Sequence, residues 1–561
     1  MPDRLPWRTL LAVLSGGILV LAYPPFSLYG AVWFGLAPLL LAVWFSKAPE
    51  KPASLWRRLW RSRGGQGFRL GWLAGVVFFS GTFWWLLNLK AFTGSIAIAA
   101  LGLFALAGYL ALYWGVFGAF AATVARLTTD DLRPQSLEDE PNRMSRSLGT
   151  SGRSLATAFL LAAAWCGLEW LRGILFTGFG WNNLSVPLAA GGNSIQMIQA
   201  CEWVGSCGLS FLPVFAGTIG LITVWRLALE AGTRRIRPHP DFGVAMALVA
   251  GTFLYGLSAK RSTDDAPIVL RTAVVQPNVP QLDKWDPSKA EQNREALQQC
   301  LTVAAVQPFD LVLLPEACLP FPLEDNEEML REVLDAGTVN LVYGSDWFEW
   351  DGIPKPGQYP DFQFNSVIVR GGEPNAEPSV YHKNHLVMFG EFVPFSESIG
   401  LFGWFAQLIN VGNLSAGEDT TPLRSWDDRY EFIPSVCFED TVARLCRRFV
   451  RPGPQLIVNV TNDAWFGRSA ASELHLQNAL FRSVELRRPM LRSTNTGTSA
   501  LVLSNGRVTR LMPAFTRGTQ TVEVPLSTEG RVTFYARHGD LFSAVMLLLA
   551  AAGAIRRIIL R

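Results

Sequence analysis

Phe432-Ile433-Pro434-Ser435-Val436-Cys437-Phe438-Glu439-Asp440 is an apolar run of strand length that reaches a thiol and turns acidic two residues later. A short apolar run closed by a change of polarity reads as a buried strand. Its last residue stands where the chain leaves the sheet, the place from which a side chain can face a ligand. Cys437 is therefore placed like a nucleophile. Two upstream segments share this grammar: Leu311-Val312-Leu313-Leu314-Pro315 runs into Glu316, and Tyr381-His382-Lys383 leads toward Phe389-Gly390-Glu391-Phe392-Val393-Pro394. Together they offer a thiol, a carboxylate and an ammonium.

Around these segments, from Asp265 to about Val524, apolar runs of strand length alternate with helical stretches. Strands are expected at Ile268–Gln276, Leu311–Leu314, Asn340–Gly344, Phe364–Val369, Phe432–Cys437, Leu456–Thr461 and Ser499–Leu503, and helices at Ser288–Val306, Asn326–Asp335 and Ser472–Glu485. Val/Ile/Leu-rich strands separated by helices indicate covered sheets, an α/β or layered α-β-β-α arrangement. The half from Tyr430 onward repeats the strand-then-helix rhythm of the first.

The rest of the chain has another character. Of 561 residues 49% are hydrophobic and 17% charged, below the roughly 25% charged usual in soluble proteins. A hydrocarbon core takes about 20 apolar residues per helix. Eight runs approach that length: Leu10–Tyr23, Phe26–Phe45, Leu70–Leu87, Ile96–Val124, Leu155–Leu171, Leu209–Trp225, Phe242–Leu257 and Leu541–Ile555. Lys47, Lys51, Arg57, Arg58, Arg61, Arg63 and Arg69 mark the loop after the second run as cytoplasmic. Seven crossings then put the segment after Leu257 outside, and an eighth returns the tail. The expected organisation is seven membrane helices in 1–264, a catalytic domain in 265–528, and a last helix with a cytoplasmic tail in 529–561. The polar stretch Thr128–Ser154 reads as a flexible loop.

A free thiol needs a base or a positive charge beside it to become thiolate. Glu316, emerging from an apolar strand, can serve as base if burial raises its pKa. Lys383 can hold the charge that develops on a carbonyl oxygen, helped by the backbone N–H of Phe438. The set suits acyl transfer through a thioester. On chemistry alone Cys318 and Cys446 compete with Cys437 as nucleophile. The seven cysteines show no CxxC pairing, so no metal is expected, and the net charge of +3 reflects inward-facing basic loops and gives no case for nucleic acid. Cys201 and Cys207 read as free small hydrophobes rather than a bridge.

Pro315-Glu316-Ala317, Lys383 within Tyr381-His382-Lys383-Asn384-His385-Leu386-Val387, and Cys437-Phe438-Glu439 resemble the Glu-Lys-Cys motifs of the nitrilase, or carbon-nitrogen hydrolase, superfamily. The flanking apolar runs, with Tyr23-Pro24-Pro25-Phe26, Glu169-Trp170-Leu171-Arg172-Gly173, Lys284-Trp285 and Thr461-Asn462-Asp463-Ala464-Trp465-Phe466-Gly467, are similar to its membrane branch, the apolipoprotein N-acyltransferases. The resemblance implies an integral membrane helical bundle of about eight spans carrying a nitrilase-like α-β-β-α sandwich. It implies ping-pong transfer from a phospholipid donor to the α-amine of a diacylglyceryl-apolipoprotein, without cofactor, by a monomer in a bacterial inner membrane with its catalytic domain periplasmic. Glu316, Lys383 and Cys437 would be catalytic and Glu391 would fix Lys383. Trp285, Phe438, Glu439 and Trp465 would support the site or the lipid chains.

Both substrates are membrane-embedded in that scheme, so the spans should share in the substrate path. Glu169 is ionisable inside an apolar run, which is costly unless paired, and Arg172, three residues on, is the expected partner. A role in lipid positioning and a structural ion pair are equally open. The apolar stretch Phe395–Val411 suggests a lid dipping into the membrane or a core helix, and Trp465-Phe466-Gly467 a mobile arm with a glycine hinge.

Overall fold

The structure is a computed structural model. It describes residues 6–45, 61–127, 143–231, 238–261, 268–319, 324–352, 360–371, 377–394, 396, 398, 400, 403 and 414–559. Nearly all of the lid expected at 395–411 lies outside the described residues. The chain forms two compact units, one of Met1–Leu87, Ala97–Ser258 and Asp540–Arg561, the other of Asn88–Ile96 and Ala259–Gly539.

The second unit contains strands β1 (Ile268–Gln276), β2 (Leu311–Leu313), β3 (Asn340–Glu349), β4 (Phe362–Arg370), β5 (Ser379–His382), β6 (Leu423–Arg424), β7 (Glu431–Val436), β8 (Gln455–Thr461), β9 (Met490–Thr494), β10 (Ala500–Val502), β11 (Val508–Arg510) and β12 (Gly518–Leu526). They build two six-stranded sheets, in the orders β12-β1-β2-β3-β4-β5 and β11-β10-β9-β8-β7-β6. Each has three parallel strands at its heart, β1-β2-β3 and β7-β8-β9, and antiparallel strands outside them. Every residue of β8 and β9 is buried, as parallel strands covered on both faces require.

The sheets stack face to face. Ser493 donates to the Val275 carbonyl at 2.8 Å, Ser499 to Gln276 Oε1 at 2.7 Å, and Asn340 to the Tyr430 hydroxyl at 3.1 Å. Helices Ala290–Ala305 and Glu324–Asp335 cover the first sheet, with Leu297, Leu301, Met329 and Val333 packed on Val312, Leu314, Leu341 and Tyr343. Ala471–Ala479 and Phe481–Leu486 serve the second sheet, so the stretch expected as one helix is two. The α-β-β-α sandwich follows. Strand β12 pairs with all nine residues of β1, from Ile268 against Leu526 to Gln276 against Gly518.

Charge is buried in this second sheet. Arg492 of β9 is 0% exposed and is paired with Asp440 and, at 3.3 Å, with Asp463. His475 bridges the same carboxylates, Nε2 to Asp440 Oδ1 at 2.9 Å and Nδ1 to Asp463 Oδ1 at 3.0 Å. Buried charges cost several kcal/mol unless paired in this way.

In the first unit, helices Ile96–Thr123, Gly149–Arg172, Phe211–Glu230 and Pro240–Ala259 are long and apolar enough to cross a membrane. A fifth candidate is the pair Arg63–Thr82 and Trp84–Thr93, bent by 58°. The first two expected runs form shorter apolar helices, Trp7–Val20 and Tyr29–Trp44. The second is interrupted where a 3-10 turn, Tyr29–Trp33, gives way to Ala37–Trp44. The expected loop 128–154 is helical from Arg143, where a helix begins that runs to Arg172. No disulfide links any of the seven cysteines.

The buried tetrad makes stability depend on pH in a defined window. Burial raises Asp463, but His475 and Arg492 outweigh it and hold the carboxyl well below its ordinary 3.8. Burial and Arg492 pull His475 down, yet the two carboxylates hold it above 6.5. The Asp463 contribution is present above 3.8 and lost as pH falls further; the His475 contribution is present below 6.5 and lost as pH rises through its raised folded value. His475→Gln should therefore cost most between about pH 4 and 6.5, on the order of 3 kcal/mol. Thermal unfolding of both proteins across pH checks this, with the gap closing as the medium becomes alkaline.

Candidate active site

Three strand ends supply the candidate groups. Glu316 follows β2 and Lys383 follows β5 in the first sheet; Cys437 follows β7 in the second. Two of the exits turn through left-handed backbone, at Ala317 with φ 44° and at Cys437 itself with φ 51°. Non-glycine residues held there cost about 1–3 kcal/mol and need surroundings that enforce them.

Those surroundings are visible. Asn459 of β8 donates Nδ2 to the Cys437 carbonyl at 3.1 Å, and its Oδ1 accepts from Arg492 at 3.1 Å. On the other sheet the Gly344 N–H donates to Pro315 at 3.2 Å while its carbonyl accepts from Cys318 N–H at 3.0 Å. A Cβ at Gly344 would lie 2.6 Å from Glu316 Cα, so only glycine lets β3 approach this closely.

Glu439 joins the two sheets at the site. Its Oε1 accepts from the Tyr381 hydroxyl at 2.9 Å and from the N–H groups of Asn384 and His385 at 2.8 Å each, and its Oε2 from Val436 N–H at 2.9 Å. Burial pushes this carboxyl up to about 7, with the Lys383 charge pulling it back.

Lys383 is 1% exposed and donates Nζ to Glu391 Oε1 at 2.7 Å. Asn365 of β4 donates Nδ2 to Glu316 Oε1 at 2.7 Å and to Glu391 Oε1 at 3.3 Å. Glu391 Oε2 takes the Val387 N–H at 2.8 Å. A continuous chain thus runs Glu316, Asn365, Glu391, Lys383. Burial pulls Lys383 down, but Glu391 and Glu316 raise it well above its ordinary 10.5, so it stays an ammonium. Burial raises Glu316, Lys383 lowers it, and Glu391 raises it again. Burial and Glu316 push the Cys437 thiol up, and Lys383 draws it down. The resting arrangement is a neutral thiol beside a carboxyl whose proton affinity is raised and a permanent cation, the combination needed for base-assisted attack on a carbonyl.

The competing thiols are otherwise engaged. Cys446 is 0% exposed and points at the Glu439 carbonyl at 3.3 Å; Cys318 points at the Gly344 carbonyl at 3.4 Å, and burial pushes it up to about 12. Phe438 stacks on His385 at 5.9 Å. Trp285, 43% exposed, follows the short helix Gln281–Lys284. Trp465 packs on Phe92 at 4.8 Å, and Asn88 donates to the Phe466 carbonyl at 2.7 Å. Gly467 has φ 57°.

Glu169 and Arg172 belong to the helical unit, where the charge of Arg172 acts on Glu169 and each makes its direct hydrogen bonds to other groups. Glu169 Oε1 accepts from Trp165 Nε1 at 2.8 Å and Leu184 N–H at 2.9 Å. Arg172 instead donates to Asn183 Oδ1 at 2.6 Å and lies 5.2 Å from the Phe79 ring. The returning segment at Asn183-Leu184 thus supplies a hydrogen-bond partner to each of them. The residues missed from sequence are Asn365 and Lys284. An amide between Phe364 and Ser366 in an apolar strand was a usable signal; Lys284 carried none beyond its place before Trp285.

The two stacked sheets form a domain of the carbon-nitrogen hydrolase class: residues 271–533 match the model of that family, "Carbon-nitrogen hydrolase". Residues 15–219 match "Apolipoprotein N-acyltransferase N-terminal domain". The chain is 31% identical to an apolipoprotein N-acyltransferase of Geobacter metallireducens, covering 98% of this chain and 96% of that one. It is 32% identical to that of Rhizobium rhizogenes, over 89% and 87%. The chain belongs to the apolipoprotein N-acyltransferase family. Among solved structures it is similar to an amidase from Nesterenkonia sp., at 16% identity and a TM-score of 0.32, over 46% of this chain and 90% of that one.

Gly344→Ala probes the brace. Displacing Glu316 Cα should cost about 1–3 kcal/mol in unfolding and lower turnover by about 100-fold through misplacement of the carboxylate. Thermal melts and activity on the same preparation check both.

Proposed function

We propose that the chain transfers a fatty acyl group from a phospholipid to the free α-amine of a diacylglyceryl-cysteine at a lipoprotein N-terminus, through a thioester on Cys437. Glu316 takes the thiol proton as sulfur attacks the phospholipid ester carbonyl. Lys383 and the Phe438 N–H hold the oxyanion. The C–O bond breaks, Glu316 returns the proton to the departing lysophospholipid, and the thioester remains. The lipoprotein amine then attacks that carbonyl and the C–S bond breaks. The amide forms, and the amine's proton reaches the thiolate by way of Glu316.

The observation that carries this reading is the linked set Glu316, Asn365, Glu391 and Lys383 acting on a thiol at a left-handed strand exit. It occurs in a chain that also has helices suited to a membrane. A membrane setting supplies the donor and holds an acceptor that is itself lipidated. The finer arrangement we infer is eight spans, with seven in 1–264 and one in 529–561. A monomer in the bacterial inner membrane then presents 265–528 to the periplasm. Glu391 fixes Lys383, and Trp285 and Trp465, whose exposed faces support this reading, receive the acyl chains. Glu169 and Arg172 support the helical unit.

The test is mass spectrometry of the purified full chain in phospholipid vesicles, before and after adding a diacylglyceryl peptide with a free amine. Acyl mass should be found on Cys437 and then on the peptide amine. Cys437→Ala should abolish both, and Glu316→Gln or Lys383→Met should slow thioester formation by about 100-fold or more. Full amide yield from Cys437→Ala would overturn the mechanism, and fatty acid release without amide would identify a hydrolase.

A further inference from the structure

A second lysine is buried at the site. Lys284 ends the helix Gln281–Lys284 that follows β1 and is 3% exposed. Its Nζ donates to the main-chain carbonyl of Glu316 at 2.9 Å. This peptide leads into Ala317, where φ is 44°. Pro315 already gives its carbonyl to Gly344, so the ammonium supplies the donor that the next carbonyl in the turn requires. The arrangement mirrors the other elbow, where Asn459 clamps the Cys437 carbonyl.

An amide suffices at Cys437; at Glu316 the clamp carries a charge. Burying an ammonium is costly unless its field is used by nearby anions. Burial pulls Lys284 below its ordinary 10.5, and the titratable groups that act back on it are the Glu316 carboxyl, the Cys318 thiol, Asp346 of β3 and the Cys437 thiol. The groups acting on Glu316 are Lys383, Glu391, Asn365 and Lys284, and Asp346 and Cys437 feel its charge in turn. Burial pushes Asp346 up to about 6 while Lys284 draws it down. Of the two ammonium groups, Lys383 is already matched by Glu391 at 2.7 Å. Lys284 donates to a neutral carbonyl and, among the described residues, has no ion-pair partner at contact range.

We propose that Lys284 is a positioning residue, whose ammonium clamps the turn that aims Glu316 at Cys437 and adds a positive charge beside the Glu316 carboxylate. This rests on Glu316 being the base of the reaction proposed above. Removing a cation near a carboxyl raises the pKa of that carboxyl. The acid limb of the acylation rate then moves to higher pH, a change that loss of packing alone does not produce.

The experiment follows thioester formation on Cys437 in a single turnover without acceptor. It uses the full chain in vesicles of phosphatidylethanolamine and phosphatidylglycerol across about pH 5 to 9. Lys284→Met should slow acylation by about 100-fold at neutral pH and move the acid limb up by about one unit. Lys284→Arg should restore the limb with a lower plateau, since a planar guanidinium cannot reproduce the point contact. If Lys284→Met fails to accumulate, Lys284→Gln, which keeps a donor without the charge, should show the same displaced limb with a smaller loss of rate. An acid limb unmoved in the uncharged variants overturns the proposal, even if they melt earlier. Glu316→Gln separates the two levels. If that variant acylates at the parental rate, the assignment of the base fails; if it is inactive while the limb stays put, only the role of Lys284 fails.

Discussion

A carboxylate removed from water must be given donors, and at Glu439 those donors come from both sheets. Asn384 and His385 follow β5, Tyr381 lies within it, and Val436 ends β7. Satisfying one buried group therefore fixes the segment that carries Lys383 against the elbow that carries Cys437. If either segment shifted, N–H groups and a carboxylate would be left unpaired at about 1–3 kcal/mol each. The rest of the site depends on this coupling, because Cys437 and Lys383 arrive on different sheets.

Around that joint the charges are arranged so that none can relax alone. Glu391 is shared between the Lys383 ammonium and the Asn365 amide, and the same amide reaches Glu316. Two carboxylates and two lysines close to one thiol would be costly in an apolar interior. Linked by an amide and by main-chain groups, they become a set whose members hold each other in defined states. Behind Cys437 the set Arg492, His475, Asp440 and Asp463 does the same for the second sheet. It reaches the elbow through Asn459.

Much of this was legible along the chain and some was not. Strands β1, β7 and β8 read clearly because they are continuous apolar runs, and Glu316, Lys383 and Cys437 stood out because each follows such a run. Strand β5 is four residues long, with Tyr381 its one buried residue, too short for a periodic signal. Strand β12 holds Thr, Gln and Glu on its exposed positions and is a strand because β1 offers a full-length partner. The stretch 471–486 is two helices, Ala471–Ala479 and Phe481–Leu486, with Leu480 between them. In the helical unit, helical spacing puts Arg172 near Glu169, while the hydrogen bonds to Asn183 and Leu184 come from a turn that spacing does not encode.

Composition and apolar run lengths alone determined that the chain has a membrane part and a sheet-rich part. The end of each strand marked where chemistry would sit, since polarity must change where a buried strand leaves the core. Tertiary structure decided which charges meet. The partners of Glu316 are Asn365 of β4, Lys284 after β1 and Lys383 after β5, all far from it along the chain. Their approach depends on strand order, on the room left at Gly344 and on two left-handed turns. Hydrogen bonds and Coulomb forces act over a few ångströms of space, and linear order carries no measure of that distance until the sheets have stacked.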